Sequence, residues 1–231
     1  MNKEETTIPA VQCVGFIMDG NRRFAVENGQ TELQGHTAGK EKFLEVVEWV
    51  KTEKIPHAVF YAFSTENWKR EKEEIEHLMS LFRELLRQLK TEAKDKKVKV
   101  RIVGQREDLP SDIQLQIEDL EKDQPQDFLV TIWVALSYGG RAEILSTVNK
   151  ILKEGKEVNE SEFEKLLWTA GMPDPDIIIR TSGEKRLSNF LPWQSVYSEL
   201  FFTNTYWPSF TKAEFMSILE EYASRERRIG R

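Results

Sequence analysis

Short apolar runs alternate along this chain with longer stretches in which apolar residues recur every three or four positions. Val11–Met18 is an apolar run rich in branched residues, stopped by Asp19-Gly20-Asn21, and it predicts a buried strand. Phe43, Val46, Val47 and Val50 then follow at helical spacing. Ala58–Phe63 predicts a second strand. Ile75, Leu78, Met79, Phe82, Leu85, Leu86 and Leu89 form a long apolar helix face. Val98–Val103 predicts a third strand, and Ser111 opens a helix carrying Ile113, Ile117 and Leu120. Phe128–Leu136 predicts a fourth strand, with Ile144, Val148 and Ile151 on the helix after it. Ser161-x-x-Glu164 and Thr211-x-x-Glu214 match capping boxes ahead of apolar periodic runs. Ile177–Ile179 and Leu200–Phe202 predict the fifth and sixth strands.

Strand and helix in alternation predict an α/β fold: a central, mostly parallel six-stranded sheet flanked by helices on both faces. No repeat, low-complexity tract or linker divides the chain, so one domain over residues 1–231 is expected, with Met1–Ala10 a flexible polar extension. In such sheets ligands bind beyond the carboxyl ends of the strands, so the residues just after each strand are the ones to inspect.

Composition narrows the function. A chain of 231 residues suits one domain with a full-sized core. With 39% apolar and 31% charged residues, neither a disordered tail nor a membrane-embedded protein fits. Lys plus Arg is 33 against 39 for Asp plus Glu, a net charge of -6, which demotes nucleic acid as a partner. Cys13 is the sole cysteine, which excludes an internal disulfide and a cysteine-based zinc site. No apolar run approaches the ~18 residues of a spanning helix, and Met1–Ala10 has no apolar signal core. These features predict a soluble, acidic, cytoplasmic protein.

Three strand ends carry candidate chemistry. After the first come Asp19, Gly20, Asn21, Arg22, Arg23 and Phe24. A carboxylate, a glycine that lets backbone approach a ligand, and two arginines suit an anion that arrives with a divalent metal; a polar turn capping a helix suits them equally. After the second strand, Ser64, Thr65, Glu66, Asn67, Trp68, Lys69 and Arg70 read most simply as a capped loop, although Asn67 has an amide for proton handling and Arg70 a fork for phosphate. After the fifth, Arg180-Thr181-Ser182-Gly183-Glu184-Lys185-Arg186-Leu187-Ser188-Asn189 places cations and hydroxyls about one glycine, as a diphosphate-wrapping loop requires. A solvated charged loop is the competing reading, and the three isoleucines before Arg180 argue against it. Glu199 lies among aromatic residues and needs an arginine or a metal as partner, a core salt bridge being the plain alternative. His36, in Gly35-His36-x-x-Gly39, is a phosphate donor or simply a residue at the start of a helix.

Together these segments resemble the cis-prenyltransferases, the undecaprenyl diphosphate synthase family, over about Val14–Gly230. The specific pieces are Phe16-Ile17-Met18-Asp19-Gly20-Asn21-x-Arg23, Gly35-His36-x-x-Gly39, Tyr61-Ala62-Phe63-Ser64-x-Glu66-Asn67-Trp68, Tyr138-Gly139-Gly140-Arg141, the Arg180–Phe190 loop, Trp193-Gln194 and Glu199-Leu200-x-Phe202. The resemblance implies an enzyme that extends an allylic diphosphate, such as farnesyl diphosphate, by isopentenyl diphosphate units with new cis double bonds. It implies that Asp19 holds Mg²⁺ and the allylic diphosphate, cradled by Gly20, Asn21, Arg22, Arg23 and Phe24 with His36 assisting. Arg180, Arg186, Leu187 and Ser188 would bind isopentenyl diphosphate, and Glu199 would be a second metal-associated carboxylate. Asn67 would sit near the proton lost from isopentenyl C2, with Ser64, Thr65, Glu66, Trp68 and Arg70 beside it. The trans-synthase Asp-Asp-x-x-Asp box is absent. Arg228-Ile229-Gly230 resembles a C-terminal motif that reaches across a homodimer interface, and the lipid product implies contact with a membrane surface.

The chain departs from the family pattern at several of these positions. Arg22 replaces a glycine and Glu32 an arginine; Phe24 replaces a tryptophan, Cys13 and Lys185 each a histidine, and Glu71 a proline. An apolar tunnel for the product is expected along the Ile75–Leu89 face and Ile132–Leu136, where bulky Trp133 and Leu136 would shorten it. Two other classes fit less well. A non-catalytic partner subunit would lose Asp19 and the strand-five arginines, and a phosphate-ester hydrolase would need a nucleophile or fuller metal cluster that is not evident.

Overall fold

The apolar run at Val11–Met18 forms strand β1 over Cys13–Ile17, and every residue of it is buried. A computed structural model describes residues 11–225; the Met1–Ala10 extension and the Arg228-Ile229-Gly230 motif lie outside the described residues. The order continues α1 (Asn21–Glu27), α2 (Glu32–Thr52), β2 (His57–Ser64), a 3₁₀ turn (Thr65–Lys69), α3 (Lys72–Glu92), β3 (Val98–Val103) and α4 (Ser111–Lys122). It ends with β4 (Val130–Tyr138), α5 (Gly140–Glu154), α6 (Glu160–Glu164), β5 (Ile177–Arg180), β6 (Glu199–Phe202), a 3₁₀ turn (Trp207–Ser209) and α7 (Lys212–Ser224). The six strands form one sheet in the order β3-β4-β2-β1-β5-β6, with every pairing parallel. The expected α/β fold with a central parallel sheet is the observed one.

One sheet face carries the larger core. Phe16 and Phe60 stack at 4.9 Å and pack with Trp207, Phe43 and Phe215 beneath α2 and α7. Residues of opposite parity, including Val59, Trp133, Ile178 and Phe190, build a second core on the other face. Trp133 therefore faces away from α3, and its indole N–H donates to His57 Nδ1 at 3.3 Å. The expectation that Trp133 walls a tunnel beside α3 is corrected by this alternation.

Three local expectations shift. Strand β4 starts at Val130 because Phe128 and Leu129 are exposed, and it runs on to Tyr138. The capping box before α6 is Asn159 with Glu162, so Ser161 and Glu164 lie inside a short helix. The Thr211–Glu214 box caps α7 as expected, and an unforeseen Thr31–Gln34 box caps α2. Helix α5 buries Gly140, Glu143 and Thr147, while Val148, with Leu145 and Leu152, is exposed. The buried Glu143 carboxylate is satisfied there by the Tyr138 hydroxyl at 2.6 Å, Thr169 N–H at 2.9 Å and Gln194 Nε2 at 3.2 Å.

Candidate active site

The carboxyl ends of the neighbouring strands β5, β1 and β2 open into a cleft of about 990 Å³. Beyond β1 the backbone turns through Gly20 at φ 105°, a left-handed conformation in which a Cβ would lie 2.7 Å from the Tyr206 ring. Helix α1 then starts at Asn21 directly against α2. A Cβ at Gly35 would stand 2.2 Å from the Asn21 carbonyl oxygen, and one at Gly39 2.5 Å from Asn21 Oδ1. The Gly35-His36-x-x-Gly39 spacing thus makes room for Asn21, whose Oδ1 is buried without a hydrogen-bond partner and which lines the cleft.

Asp19 is held between two arginines. Arg180 Nη2 donates to Oδ2 at 2.7 Å, and Arg23 Nη2 lies 3.4 Å from Oδ1. The Asp19 N–H donates to Thr181 Oγ1 at 3.0 Å, and the Thr181 hydroxyl returns a bond to the Asp19 carbonyl at 2.6 Å. Arg180 is almost fully buried; its Nη1 donates to Ser188 Oγ at 2.7 Å and to the Arg186 carbonyl, and its Nε has no partner. Arg23 donates to the Ser182 hydroxyl and carbonyl. Ser182, Gly183, Ser188 and Asn189 all adopt positive φ, so the loop wraps the cleft in a conformation that costs energy and must be held by its surroundings.

At the end of β2, Asn67 Oδ1 accepts the Ser64 N–H at 3.0 Å, which fixes the 3₁₀ turn and turns Asn67 into the cleft. Glu66 accepts from Asn189 Nδ2 at 2.9 Å. Burial would raise the Glu66 carboxyl, but hydrogen bonds from its own backbone, Asn189, Ser64 and Thr65 hold it below its ordinary value. Beneath the cleft lies Glu74, a buried carboxylate not anticipated from sequence. It accepts from Arg70 Nη1 at 2.9 Å and pairs with His36 Nε2 at 2.9 Å, with Arg22 Nη1 at 3.8 Å. Burial pulls His36 below the ordinary imidazole value, against the opposing pull of Glu74. The sequence signal for Glu74 is its place four residues before Leu78, on the apolar stripe of α3, where an acidic residue is out of pattern.

Of the expected site residues, Asp19, Gly20, Asn21, Arg22, Arg23 and His36 converge on the cleft from β1 and the first two helices. Ser64, Glu66, Asn67 and Arg70 reach it from the end of β2, and Arg180 and Ser188 from the end of β5. Phe24, Thr65 and Leu187 do not line it. Trp68 packs edge-on against Phe63 and donates its indole N–H to Ser137 Oγ at 2.9 Å, so it braces the turn from behind. Arg186 is exposed and pairs with Glu184, contributing its carbonyl to Arg180. Glu199 begins β6 level with Ile177, at the opposite end of the sheet from Asp19, and binds Arg225 Nη1 at 2.6 Å. A shared metal between Asp19 and Glu199 of one chain is therefore not what the geometry supports. Tyr61 and Asn189, which the sequence motifs contain but give no role of their own, line the cleft, as does Tyr206, which no motif contains; burial pushes the Tyr61 hydroxyl up, keeping it a neutral donor.

Among the described residues no cluster of three His, Cys, Asp or Glu side chains could hold a metal. The donor set at the strand ends, one carboxylate amid arginines, nevertheless fits Mg²⁺, which is commonly bound by one or two carboxylates plus phosphate oxygens and waters. Behind the cleft, an apolar cavity of about 70 Å³ lies between α2, α3 and β4. Leu78, Phe82 and Leu85 of the expected α3 face line it with Leu81 and Val134, whereas Trp133 and Leu136 do not.

A family model for undecaprenyl diphosphate synthase matches residues 17–230. The chain is 44% identical to an isoprenyl transferase of Thermotoga maritima, covering 95% of this chain and 96% of that protein. It is 43% identical to a geranylgeranyl-diphosphate-specific tritrans,polycis-undecaprenyl-diphosphate synthase of Pyrococcus horikoshii, over 94% of this chain and 86% of that protein. The fold is similar to that of lavandulyl diphosphate synthase from Lavandula x intermedia in complex with dimethylallyl diphosphate. The TM-score is 0.91, the identity 28%, and the match covers 96% of this chain and 99% of that one.

Proposed function

The chain belongs to the undecaprenyl diphosphate synthase family of cis-prenyltransferases and is an isoprenyl transferase, and from that premise we propose how its cleft works. The observation that carries the reading is the Asp19 carboxylate clamped between Arg23 and Arg180 in a cleft that shares lining residues with an apolar cavity behind it. In this reading an allylic diphosphate such as farnesyl diphosphate lies against Gly20, Asn21, Arg22 and Arg23, and isopentenyl diphosphate lies against Arg180 and Ser188. The bond between allylic C1 and the diphosphate oxygen breaks, C1 joins C4 of isopentenyl diphosphate, and the proton of C2, on the side of Asn67, passes to the departing diphosphate as the new C2–C3 double bond forms. Arginine forks stabilise the charge that develops on the departing diphosphate. The apolar walls shield the allylic cation from water. Asp19 would hold Mg²⁺, which when bound supplies further charge neutralisation to the diphosphate.

The partners follow from the same reading. Leu145, Val148 and Leu152 on α5, with Val196 and Tyr197 beyond β5, are exposed large apolar side chains. A second copy of this chain is the occupant that would cover them and make the homodimer. Among the described residues no helix is long and apolar enough to cross a membrane. In this reading the enzyme is cytoplasmic and hands its lipid to a membrane that it touches at the surface. The test is incubation of the purified protein with Mg²⁺, labelled isopentenyl diphosphate and farnesyl, geranyl or geranylgeranyl diphosphate in turn. Label is expected in a polyprenyl diphosphate with at least one primer, and no incorporation with any of them overturns the reading.

A further inference from the structure

The cavity behind the cleft is small for a growing lipid. Its free volume of about 70 Å³ is less than a tenth of the 990 Å³ of the cleft in front of it. It shares Met18, His36, Ala62 and Leu78 with the cleft, so a chain elongated at the cleft enters here. Elongation therefore requires the walls to part. The sheet provides one side of the cavity through Val134, and α2 and α3 provide the others.

One wall residue breaks the apolar pattern. Lys40 of α2 lines the cavity, yet its ammonium lies 2.9 Å from Glu84 Oε1 on α3. The Lys40 side chain is 13% exposed and that of Glu84 55%, so the lysine stem runs along the cavity while the charged end meets its partner at the surface. Glu84 follows Leu81 by three positions and precedes Leu85 by one, so the pair ties the two helices beside the apolar residues that would have to move. The hydrogen bond from Lys40 also holds the Glu84 carboxyl below its ordinary value.

We propose that the Lys40–Glu84 ion pair is a strap across the α2–α3 seam that limits the length of the lipid product, which makes Lys40 a specificity-determining residue. The inference rests on the prenyltransferase reading above. A lipid chain pressing outward must either strip the ammonium of its partner and water or open the seam against the pair. Both oppose the next addition by the modest amount that a half-exposed pair supplies, about 1 kcal/mol or less, which shifts the competition between extension and release several-fold without blocking extension. Release then competes better with extension. The strap contributes little to the fold itself, since a half-exposed ion pair is weak.

The experiment compares wild type with Lys40→Met, which keeps the apolar stem, Glu84→Gln, which keeps the lysine, and Lys40→Arg, which keeps the pair. Labelled products are resolved by chain length at matched substrate, and thermal melting confirms the fold of each variant. Lys40→Met and Glu84→Gln should both shift the main product upward by one or more isoprene units, with the rate of the first condensation unchanged, while Lys40→Arg keeps the wild-type length. Unchanged length in both variants, with label incorporated, overturns the strap alone. A shift in Lys40→Met but not in Glu84→Gln overturns it in favour of the lysine acting as a wall. No incorporation by the wild-type protein overturns the underlying reading and the strap with it.

Discussion

Arg22 and Glu32 form a forked ion pair at the rim of the cleft, with Nε to Oε2 at 2.7 Å and Nη2 to Oε1 at 2.9 Å. Both positions read from the sequence as charge departures from the family pattern it resembles, and in the structure they answer one another. A carboxylate at 32 alone would repel a diphosphate; paired with Arg22 it orients a guanidinium instead. Arg22→Gly should therefore raise the KM for the allylic diphosphate by about tenfold, because it removes a cation and leaves Glu32 uncompensated. The double change Arg22→Gly with Glu32→Ala should recover part of that loss. Steady-state kinetics in which the double variant is no better than Arg22→Gly would contradict the coupling.

Asp19 is the point at which the two arginine systems meet. Asp19→Ala should lower turnover by about 10²–10³-fold or more, the scale of losing one electrostatic stabiliser of developing charge. The fold should persist, because Arg180 keeps its bonds to Ser188 and to the Arg186 carbonyl. Far-ultraviolet circular dichroism and label incorporation check the two halves separately. Chelation of divalent metal should reproduce the activity loss in the wild-type protein and add nothing to the loss in Asp19→Ala.

The His36–Glu74 pair links the cleft to pH. Burial holds His36 below its ordinary value of 6.5, so the unfolded chain takes up a proton first as pH falls. The stability contributed by neutral His36 is then present above pH 6.5 and lost as the pH drops from there towards the folded value. Urea unfolding of wild type should show this acid loss, and His36→Gln should flatten that part of the curve. Equal slopes in the two proteins would exclude His36 as the responsible group.

Much of this was legible in the chain because buried parallel strands leave strong signals. Val11–Met18 and Ile177–Ile179 are apolar on both faces, and the residues that follow them supply Asp19 and Arg180. What was not legible depends on partners in space. On α5 the buried stripe is Gly140, Glu143 and Thr147, a polar set whose burial makes sense only once Tyr138, Thr169 and Gln194 are seen around Glu143. Glu199 stands directly before the Leu200–Phe202 run, so a parallel strand puts it at the amino end of β6, away from the cleft; only the motif resemblance had placed it beside a metal. An uninterrupted apolar strand also conceals which residues face which layer, because alternation is visible only when one face is polar.

Strand β4 turns that last ambiguity into a measurement. Val134 lines the cavity beside α3, and Trp133, its neighbour in sequence, packs on the opposite face with Val59, Ile178 and Phe190. Trp133→Ala should therefore leave the product length unchanged, although it empties a core site and should cost about 3–5 kcal/mol of stability. Val134→Phe acts in the opposite sense: it adds volume to a cavity of about 70 Å³ and should shorten the product or stall elongation. Its cost to stability should be smaller, about 1–3 kcal/mol for an overpacked position. Product length and urea unfolding measured on both variants separate the two faces. A shift in chain length caused by Trp133→Ala would mean that the lipid runs along the other side of the sheet.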